Sequence, residues 1–387
     1  MPGYELIGKE ELKEISQIFK KSKTLSKMGF DQSRKNIYKV KSFEKKFSNF
    51  IKSPYCLGVT SGTAALRVAL AALGIKKNDE VIAPSFTFVA TIEAIVESGA
   101  QPIIVDVDKT LNMSYNELIK KISENTKAII IVHMLGVPTD LSSIKKICKK
   151  KKISLIEDTA WGCGAKYKNR YLGTHGDIGA FSFDFAKTIT TGEGGMVVFK
   201  NRKLFEKASA WHDHGHENNP KVPRWEDTRK SSGFNFRMNE MQGAVGLAQL
   251  KKIKYIIKKQ RQNHDAIWNK IKAIPGIELR EYPKSSFISA DALVFFVKNK
   301  KLAASCRQEL LKVKISTKIL PEATSWHFAG HWNHIRSLKQ KYKNLKKKFT
   351  RSKFFLDRAV SLPILIKMNS NTPSKIKLAL EKALKII

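Results

Sequence analysis

The stretch ISLIEDTAWGCGAKYKNRYLGTHGDIGAFSFDFAKTITTGEGGMVVF, residues 153–199, decides the fold of this chain. It contains three short runs, 153–158, 179–184 and 195–199, that are apolar almost throughout, as strands are when helices cover both faces of their sheet. Similar runs precede it at 81–86, 102–108 and 127–135, and helical patterns alternate with them at 63–73, 88–98, 114–122 and 141–149. This alternation predicts an α/β fold, a three-layer α/β/α arrangement around a mostly parallel sheet.

The pattern changes near residue 250. A long helical stretch, a short strand and two further helices follow, at 242–274, 292–297, 303–313 and 375–386. A long helix followed by short mixed elements is typical of a connector into a smaller α+β domain. We therefore predict a large domain over 1–250, with the segment 1–50 packing against it, and a small C-terminal domain over 251–387.

The charge balance of the chain is unusual. Its 387 residues include 71 Lys+Arg against 34 Asp+Glu, a formal net charge of +37. Such a charge fits nucleic acid, an anionic membrane surface or an acidic substrate. The basic residues are scattered in short clusters, however, with no motif that reads DNA or RNA and no Cys/His zinc pattern. We interpret the charge as a lysine-rich solvated surface, which alone does not decide function.

Cysteine usage and the N-terminus bear on the compartment. Cys56, Cys148, Cys163 and Cys306 form no CxxC pair, which favours free thiols in a reducing environment. The start MPGYELIGKEELKEI has no apolar core of the kind found in signal peptides, and no apolar run is long enough to span a bilayer. We expect a cytoplasmic protein without a membrane span.

Two charged residues in the deciding stretch are candidates for chemistry. Asp158 ends one predicted strand, and Lys187 lies between another strand and the Gly-rich turn at 192–195. Ligands of α/β sheets gather at the carboxyl ends of strands, so both side chains can face one crevice. A lysine that forms a Schiff base and a carboxylate that keeps a pyridine nitrogen protonated suit pyridoxal phosphate. Taken alone, Lys187 could equally be a solvated surface group, and Asp158 a helix cap.

A phosphate site is predicted where the run Thr60-Ser61-Gly62-Thr63 opens an Ala/Leu-rich helix. Exposed N–H groups and the positive end of the helix dipole favour a dianion there, although the same residues also form an ordinary helix N-cap. Ser182 is a second candidate phosphate ligand. Phe88 could stack on a cofactor ring, or belong to the core.

Three blocks make a more specific comparison possible: SGTAALRVALAALGIKKNDEVIAPSFTFVATIEAI (61–95), EDTAWGCGAKYKNRYLGTHGDIGAFSFDFAKTITTGEGG (157–195) and GFNFRMNEMQGAVGLAQL (233–250). Together they resemble the DegT/StrS-type sugar aminotransferases, a fold-type-I pyridoxal-phosphate family. By this resemblance Lys187 is the lysine that binds the cofactor and Asp158 the partner of its ring nitrogen. The family's His-containing sugar 3-dehydratases are disfavoured, because this chain has Lys187 at their histidine position.

The resemblance also implies roles for residues around this pair. Phe88 is the stacking aromatic, while Gly62, Thr63 and Ser182 hold the phosphate. Asn235 matches an asparagine that reaches the phosphate of the partner subunit, which implies a homodimer with shared sites. Trp161 departs from the pattern, because many members carry Gln or His at this position against the ring. An indole can stack there but cannot make the same hydrogen bond.

Three shorter segments, MPGYELIGKEE (1–11), HDHGHENN (212–219) and SLPILIKMN (361–369), are similar to 8-amino-3,8-dideoxy-manno-octulosonate transaminases. That subgroup uses glutamate to aminate the C8 aldehyde of an oxidised octulosonic acid for surface polysaccharide. His214, His216 and His327 are then candidate substrate contacts, and we predict no metal site.

Two alternatives stay open from the sequence. The first keeps the fold and cofactor but takes a nucleotide-linked 3- or 4-keto-deoxyhexose as the acceptor. The second is a non-catalytic nucleic-acid-binding or regulatory protein on the same fold, suggested by the net charge. It would show salt-sensitive DNA binding and no amino transfer.

Overall fold

A seven-stranded sheet forms the centre of the protein, in a computed structural model that describes residues 2–385. The strands are β1 Tyr55–Val59, β2 Glu80–Pro84, β3 Gln101–Val105, β4 Thr126–Val132, β5 Ser154–Asp158, β6 Lys166–Tyr167, β7 Arg170–Tyr171, β8 Ile178–Ser182, β9 Gly195–Phe199, β10 Glu278–Leu279, β11 Ser286–Phe287, β12 Ala292–Phe296 and β13 Ala359–Pro363. The central order is β1-β9-β8-β5-β4-β2-β3, in which β9 runs antiparallel to both neighbours and the other pairs are parallel. Two three-stranded sheets, β10-β12-β13 and β11-β6-β7, complete the pairing.

Helices surround these sheets. They are α1 Pro2–Glu5, α2 Lys9–Gln17, α3 Asp31–Arg34, α4 Lys39–Ile51, α5 Gly62–Leu73, α6 Ala90–Glu97, α7 Tyr115–Ile119, α8 Leu141–Lys151, α9 Arg202–Trp211, α10 Glu240–Ile271, α11 Lys300–Lys312, α12 Thr324–His327, α13 Arg336–Lys341, α14 Thr350–Arg358 and α15 Thr372–Ala383. The last predicted helix extended to residue 386, which lies outside the described residues. Within residues 2–385, no helix combines the length and the apolarity that a membrane crossing requires.

The central sheet is covered on both faces, as its apolar strands predict. In β9, Val197 packs in the core cluster that includes α5, whereas its neighbours Met196 and Val198 pack with α4 and α10. Side chains that alternate between two buried faces require apolar residues at every position, because neither face meets water. The three-layer α/β architecture predicted from the sequence is confirmed.

The sequence fixes both ends of helix α5, which packs beside this sheet. Ser61 caps the helix by accepting a hydrogen bond from the Ala64 N–H at 3.0 Å, and Gly74 ends it in a left-handed conformation, φ +73°. Between these two residues, small and branched apolar side chains are buried against β8 and β9. The first turn of α5 is thereby fixed at the carboxyl end of β1.

The long helix α10 connects the two predicted domains. Its N-terminal half packs on α4, where Gly246 lies against Phe43, and Ile267 and Ile271 near its C-terminus belong to a separate core with β12 and β13. The predicted boundary at residue 250 therefore falls inside a continuous helix. The division into domains stays a prediction.

The N-terminal segment packs against both α10 and the loop that carries Lys187. Glu11 is buried and accepts from Lys252 Nζ at 2.8 Å, and the Gly3 N–H donates to the Lys187 carbonyl oxygen at 3.1 Å. A Cβ at Gly3 would lie 2.9 Å from that oxygen. Residue 3 therefore has to be glycine for the chain to pass so close beneath Lys187.

Candidate active site

A cavity of about 440 Å³ opens at the carboxyl edge of the central sheet. This edge is where the chain leaves β1, β5 and β8, so side chains distant in sequence converge there. Eight of the predicted site residues line the cavity: Gly62, Thr63, Phe88, Asp158, Trp161, Ser182, Lys187 and His327. The structure thus brings together residues that span 265 positions of the sequence, from 62 to 327.

Lys187 lies in the loop between β8 and β9, with its amine directed at the indole of Trp161. The Nζ atom is 3.2 Å from the centre of the Trp161 ring, and only 9% of the residue is exposed. Burial lowers the pKa of this amine to about 8, because the charged form loses its hydration. An amine with this pKa is partly neutral near physiological pH and can act as a nucleophile.

Asp158 is fixed by two donors at the end of β5. Its Oδ1 accepts from the Ala160 N–H at 3.1 Å, and its Oδ2 accepts from Thr91 Oγ1 at 3.0 Å. Burial raises the pKa of this carboxyl, and the two hydrogen bonds oppose that shift. Sequence reasoning missed Thr91, because a threonine inside an apolar helical pattern gives no signal of a polar partner.

The N-terminus of α5 meets the end of β8 at one end of the cavity. A Cβ on Gly62 would lie 2.7 Å from Ser182 Cβ, so only glycine lets the two segments come this close. The first N–H groups of α5 have no partner within the helix and carry the positive end of its dipole. With the Thr63 and Ser182 hydroxyls nearby, this end of the cavity has the donors that a phosphate dianion requires.

Phe88 and His327 contribute aromatic rings to the lining of the cavity. Phe88 stacks on Trp326 with ring centres 6.0 Å apart and planes inclined by 9°, and lies 5.4 Å from the His327 ring. His327 Nδ1 lies 2.9 Å from the Ala323 carbonyl, and burial lowers the His327 pKa to about 4. This imidazole is therefore neutral at physiological pH and offers Nε2 to a ligand as a hydrogen-bond acceptor.

Three predicted site residues lie outside the cavity of a single chain. His216 Nδ1 is 3.1 Å from Asp227 Oδ2, and Asn235 Oδ1 accepts from the Arg237 N–H at 3.4 Å. Neither they nor His214 line the cavity formed by the described residues. The role of Asn235 was predicted across a subunit interface, so it stays a prediction, as do the substrate contacts of His214 and His216.

Lys318 and Asp291 were not singled out in the sequence. Both come from the C-terminal part of the chain, and they form a buried ion pair of 2.6 Å beside Trp161. No local motif marks them. Across residues 2–385 the structure has no cluster of three or more His, Cys, Asp or Glu that could hold a metal ion.

The cavity matches a flat aromatic aldehyde that carries a phosphate. The glycine cradle at Gly62 and the α5 N-terminus suit the phosphate, and the buried Asp158 carboxylate suits a protonated ring nitrogen. The Lys187 amine lies in the same cavity, where it can reach an aldehyde carbon. The chemistry of these donors therefore fits pyridoxal phosphate.

Comparison with known proteins supports this assignment. Residues 8–381 match the model of the DegT/DnrJ/EryC1/StrS aminotransferase family. The chain is 33% identical over 381 residues to the uncharacterized protein MJ1066 of Methanocaldococcus jannaschii, covering 96% of this chain and 94% of that protein. It is 41% identical over 227 residues to the GDP-perosamine synthase of Escherichia coli O157:H7, a match over 58% of this chain and 61% of that enzyme.

Solved structures of similar fold cover nearly the whole chain. An aminotransferase from Psychrobacter cryohalolentis superposes with a TM-score of 0.87 at 26% identity, over 98% of both chains. PseC of Helicobacter pylori, an aminotransferase involved in the biosynthesis of pseudoaminic acid, gives a TM-score of 0.85 at 26% identity over 98% of both chains.

Proposed function

Since this chain belongs to the DegT/DnrJ/EryC1/StrS aminotransferase family, we propose that it moves an amino group from glutamate to a carbonyl carbon of a sugar. It is an aminotransferase that depends on pyridoxal phosphate. The observation that carries the proposal is the Lys187 amine and the Asp158 carboxylate in one cavity with the N-terminus of α5. Its structural neighbours are enzymes, which favours catalysis over the alternative of a nucleic-acid-binding protein on this fold.

The proposed roles follow from where each side chain lies. Bound pyridoxal phosphate supplies an aldehyde that takes up the amine and a ring that accepts electron density. Lys187 would hold it covalently, and its free amine would move the proton of the donor Cα. Asp158, held by Thr91 and the Ala160 N–H, keeps a positive charge on the ring nitrogen. Gly62, Thr63 and Ser182 bind the phosphate.

An absorbance spectrum of the purified protein, before and after addition of glutamate, tests the proposal. The cofactor bound to Lys187 is expected to absorb in the near ultraviolet or visible range and to lose this band when glutamate is added. Lys187→Ala should abolish both the band and turnover. Lys200→Ala is the matched control, because the Lys200 side chain is 63% exposed and pairs with Asp177, away from the cavity lining. Retained transamination by Lys187→Ala would show that another group performs the chemistry.

For the acceptor, we propose a nucleotide-linked 3- or 4-keto-deoxyhexose. The support is the similarity to GDP-perosamine synthases, whose name identifies a GDP-linked sugar product. That similarity spans only about three fifths of those enzymes, so it bears on the acceptor class and leaves the individual sugar open.

A second candidate acceptor is the C8 aldehyde of an oxidised 3-deoxy-octulosonic acid. It rests on the similarity of segments 1–11, 212–219 and 361–369 to transaminases of that subgroup. An anionic sugar acid also suits a chain with a net charge of +37, although one carboxylate requires far less.

Glutamate consumption measured with a panel of acceptors separates the two candidates. The panel contains nucleotide-linked keto sugars, the same sugars without the nucleotide, and the oxidised octulosonic acid. Turnover that requires the nucleotide supports the first candidate, and turnover confined to the sugar acid supports the second. Glutamate half-reaction without turnover on any carbonyl sugar would contradict the proposed substrate class while leaving the aminotransferase intact.

A further inference from the structure

The amine nitrogens of two lysines lie close to the indole of Trp161. Lys187 Nζ lies 3.2 Å and Lys318 Nζ lies 4.8 Å from the centre of the ring. Both distances are within the range of a cation–π contact. The two nitrogens are therefore no farther apart than the sum of these distances, 8.0 Å. Charges this close, in a buried setting, act on each other through little water.

The second ammonium is held by a carboxylate. Lys318 Nζ donates to Asp291 Oδ2 at 2.6 Å, and the two side chains are 7% and 1% exposed. The other carboxylate oxygen, Asp291 Oδ1, is buried without a hydrogen-bond partner among the described residues. A buried ion pair costs desolvation energy and contributes little to stability by itself, so its presence needs a reason other than stability.

Backbone hydrogen bonds tie both residues of the pair to the strands β12 and β13. Asp291 directly precedes β12, and its carbonyl oxygen accepts from the Ile364 N–H at 3.4 Å. Lys318 donates its N–H to the Ser361 carbonyl in β13 at 2.8 Å and accepts from the Ser361 hydroxyl at its own carbonyl. The main chain at both residues is therefore held by the sheet formed by β12 and β13.

The residues just before Asp291 also form a hydrogen bond with the backbone of Trp161. Ser289, two residues before Asp291, donates from Oγ to the Trp161 carbonyl oxygen at 3.3 Å and from its N–H to the Gly136 carbonyl at 3.2 Å. Gly136 adopts φ +78°, and a Cβ there would lie 2.1 Å from Ser289 Oγ. Trp161 is thus held on its backbone side by Ser289 and on its ring by Lys318.

We propose that Asp291 and Lys318 are positioning residues for Lys187: they hold the Trp161 indole against its amine and place one negative and one positive charge near it. The proposal rests on the proposed function only in treating Lys187 as the lysine that binds the cofactor. Neither residue is assigned a contact with the reacting atoms. Their effect is exerted through Trp161 and through the electrostatic potential at Lys187.

The charges around Lys187 are consistent with this role. Besides burial, the groups that act on its pKa are Asp291, which raises it, Lys318, which lowers it, and Asp184 and Asp158, which raise it. His327, which also lines the cavity, has a strongly lowered pKa and is neutral. Asp291 has the largest influence of these charged groups, and Lys318 the next largest, with opposite sign. Removing Asp291 alone should therefore lower the Lys187 pKa, and removing Lys318 alone should raise it. Removing both should restore the original pKa.

The test measures the amine of Lys187 directly in the full-length, cofactor-free protein. Competitive labelling with acetic anhydride across pH, with mass spectrometry of the peptide that contains Lys187, gives its titration midpoint. Asp291→Asn should lower the midpoint by about one pH unit, since a buried charge at this range acts by roughly that amount. Asp291→Asn combined with Lys318→Met should return it to within about 0.3 unit of the unmodified chain, a cancellation expected of opposite charges. Lys318→Arg, which keeps the cation, should leave the midpoint unchanged.

Glu14→Gln is the matched control, because Glu14 forms a similar ion pair of 2.8 Å with Lys39 and is not among the groups that act on Lys187. Equal midpoints in Asp291→Asn and the unmodified chain, or a further downward shift in the double variant, would overturn the proposal. If the two substitutions only damaged the structure, their effects on the Lys187 midpoint would add. If the two charges balance each other, these effects cancel. The labelling reads Lys187 whether or not it binds the cofactor, so failure here is distinguishable from failure of the proposed function.

Discussion

At the scale of single residues, Thr91 decides how firmly Asp158 is held in its charged form. Its hydroxyl donates to Asp158 Oδ2, and burial raises the pKa of that carboxyl. We predict that Thr91→Val, which keeps the shape, removes a hydrogen bond to a charged group worth about 1.5–3 kcal/mol, and lowers kcat by about ten- to a hundredfold. Because the lost donor favoured the charged carboxylate, the acid limb of the kcat profile should move to higher pH.

Steady-state kinetics across pH, with thermal unfolding as a check on the fold, measures this effect. Thr87→Val is the comparison variant, because the Thr87 hydroxyl lies 2.7 Å from Thr91 Oγ1 and has no hydrogen bond with Asp158. A Thr91→Val enzyme with an unchanged acid limb would show that the Ala160 N–H suffices to hold the carboxylate.

Some site residues could be predicted from the sequence immediately around them, and others could not. Asp158 and Lys187 could be predicted because each follows a buried apolar strand, and strand ends converge at one edge of a parallel sheet. Thr91 could not, since its helix looks the same whether or not its hydroxyl meets a carboxylate. Asp291 and Lys318 reach Trp161 only after the C-terminal part of the chain packs beside the central sheet, which no short-range pattern encodes.

At the scale of elements, the N-terminus of α5 depends on the close approach of Gly62 to Ser182. We predict that Gly62→Ala weakens the binding of pyridoxal phosphate by at least about tenfold, because the added Cβ must displace Ser182 from the phosphate end of the cavity. The displacement of Ser182 opposes the gain in helix propensity that alanine brings, so thermal unfolding is measured beside the affinity. Titration of the cofactor-free protein, followed by absorbance, measures the affinity.

Gly8→Ala is the control for this substitution. A Cβ at Gly8 would meet only Glu10 Oε2, at 3.7 Å, so cofactor affinity should stay unchanged. Equal affinities of Gly62→Ala and the unmodified chain would show that the helix end and Ser182 can separate without loss, and would remove the phosphate role from this junction.

Helices and strands that bury a long apolar run or stripe were predicted best. The buried strands and α5, α8 and α10 lie within a few residues of their predicted positions, because each buries a continuous apolar run or stripe. The predicted helix at 114–122 ends already at Ile119. The two-residue strands β6, β7 and β11 carry no pattern of their own, and the antiparallel direction of β9 depends on the loop that positions Lys187.

At the scale of the whole molecule, several large aromatic side chains next to candidate site residues in the sequence are exposed. Phe185, Phe234 and Trp326 are each more than half exposed, and Tyr4 stacks on Phe185 with ring centres 4.7 Å apart. A chain with a net charge of +37 has ample polar side chains for its surface, so exposed aromatic groups favour coverage by another protein surface. We propose that a second copy of the chain covers these aromatic side chains and supplies Asn235 to the site.

Complementation tests that proposal. In a homodimer with shared sites, Lys187→Ala has no intact site and Asn235→Ala lacks the donor in both sites. A mixed dimer, however, pairs the Lys187 of one chain with the Asn235 of the other and restores one site of two. Random mixing makes half the dimers mixed, so about a quarter of the unmodified activity should return. If Asn235 acted within its own chain, mixing would add nothing to the residual activity of Asn235→Ala, since no combination would place both side chains in one site.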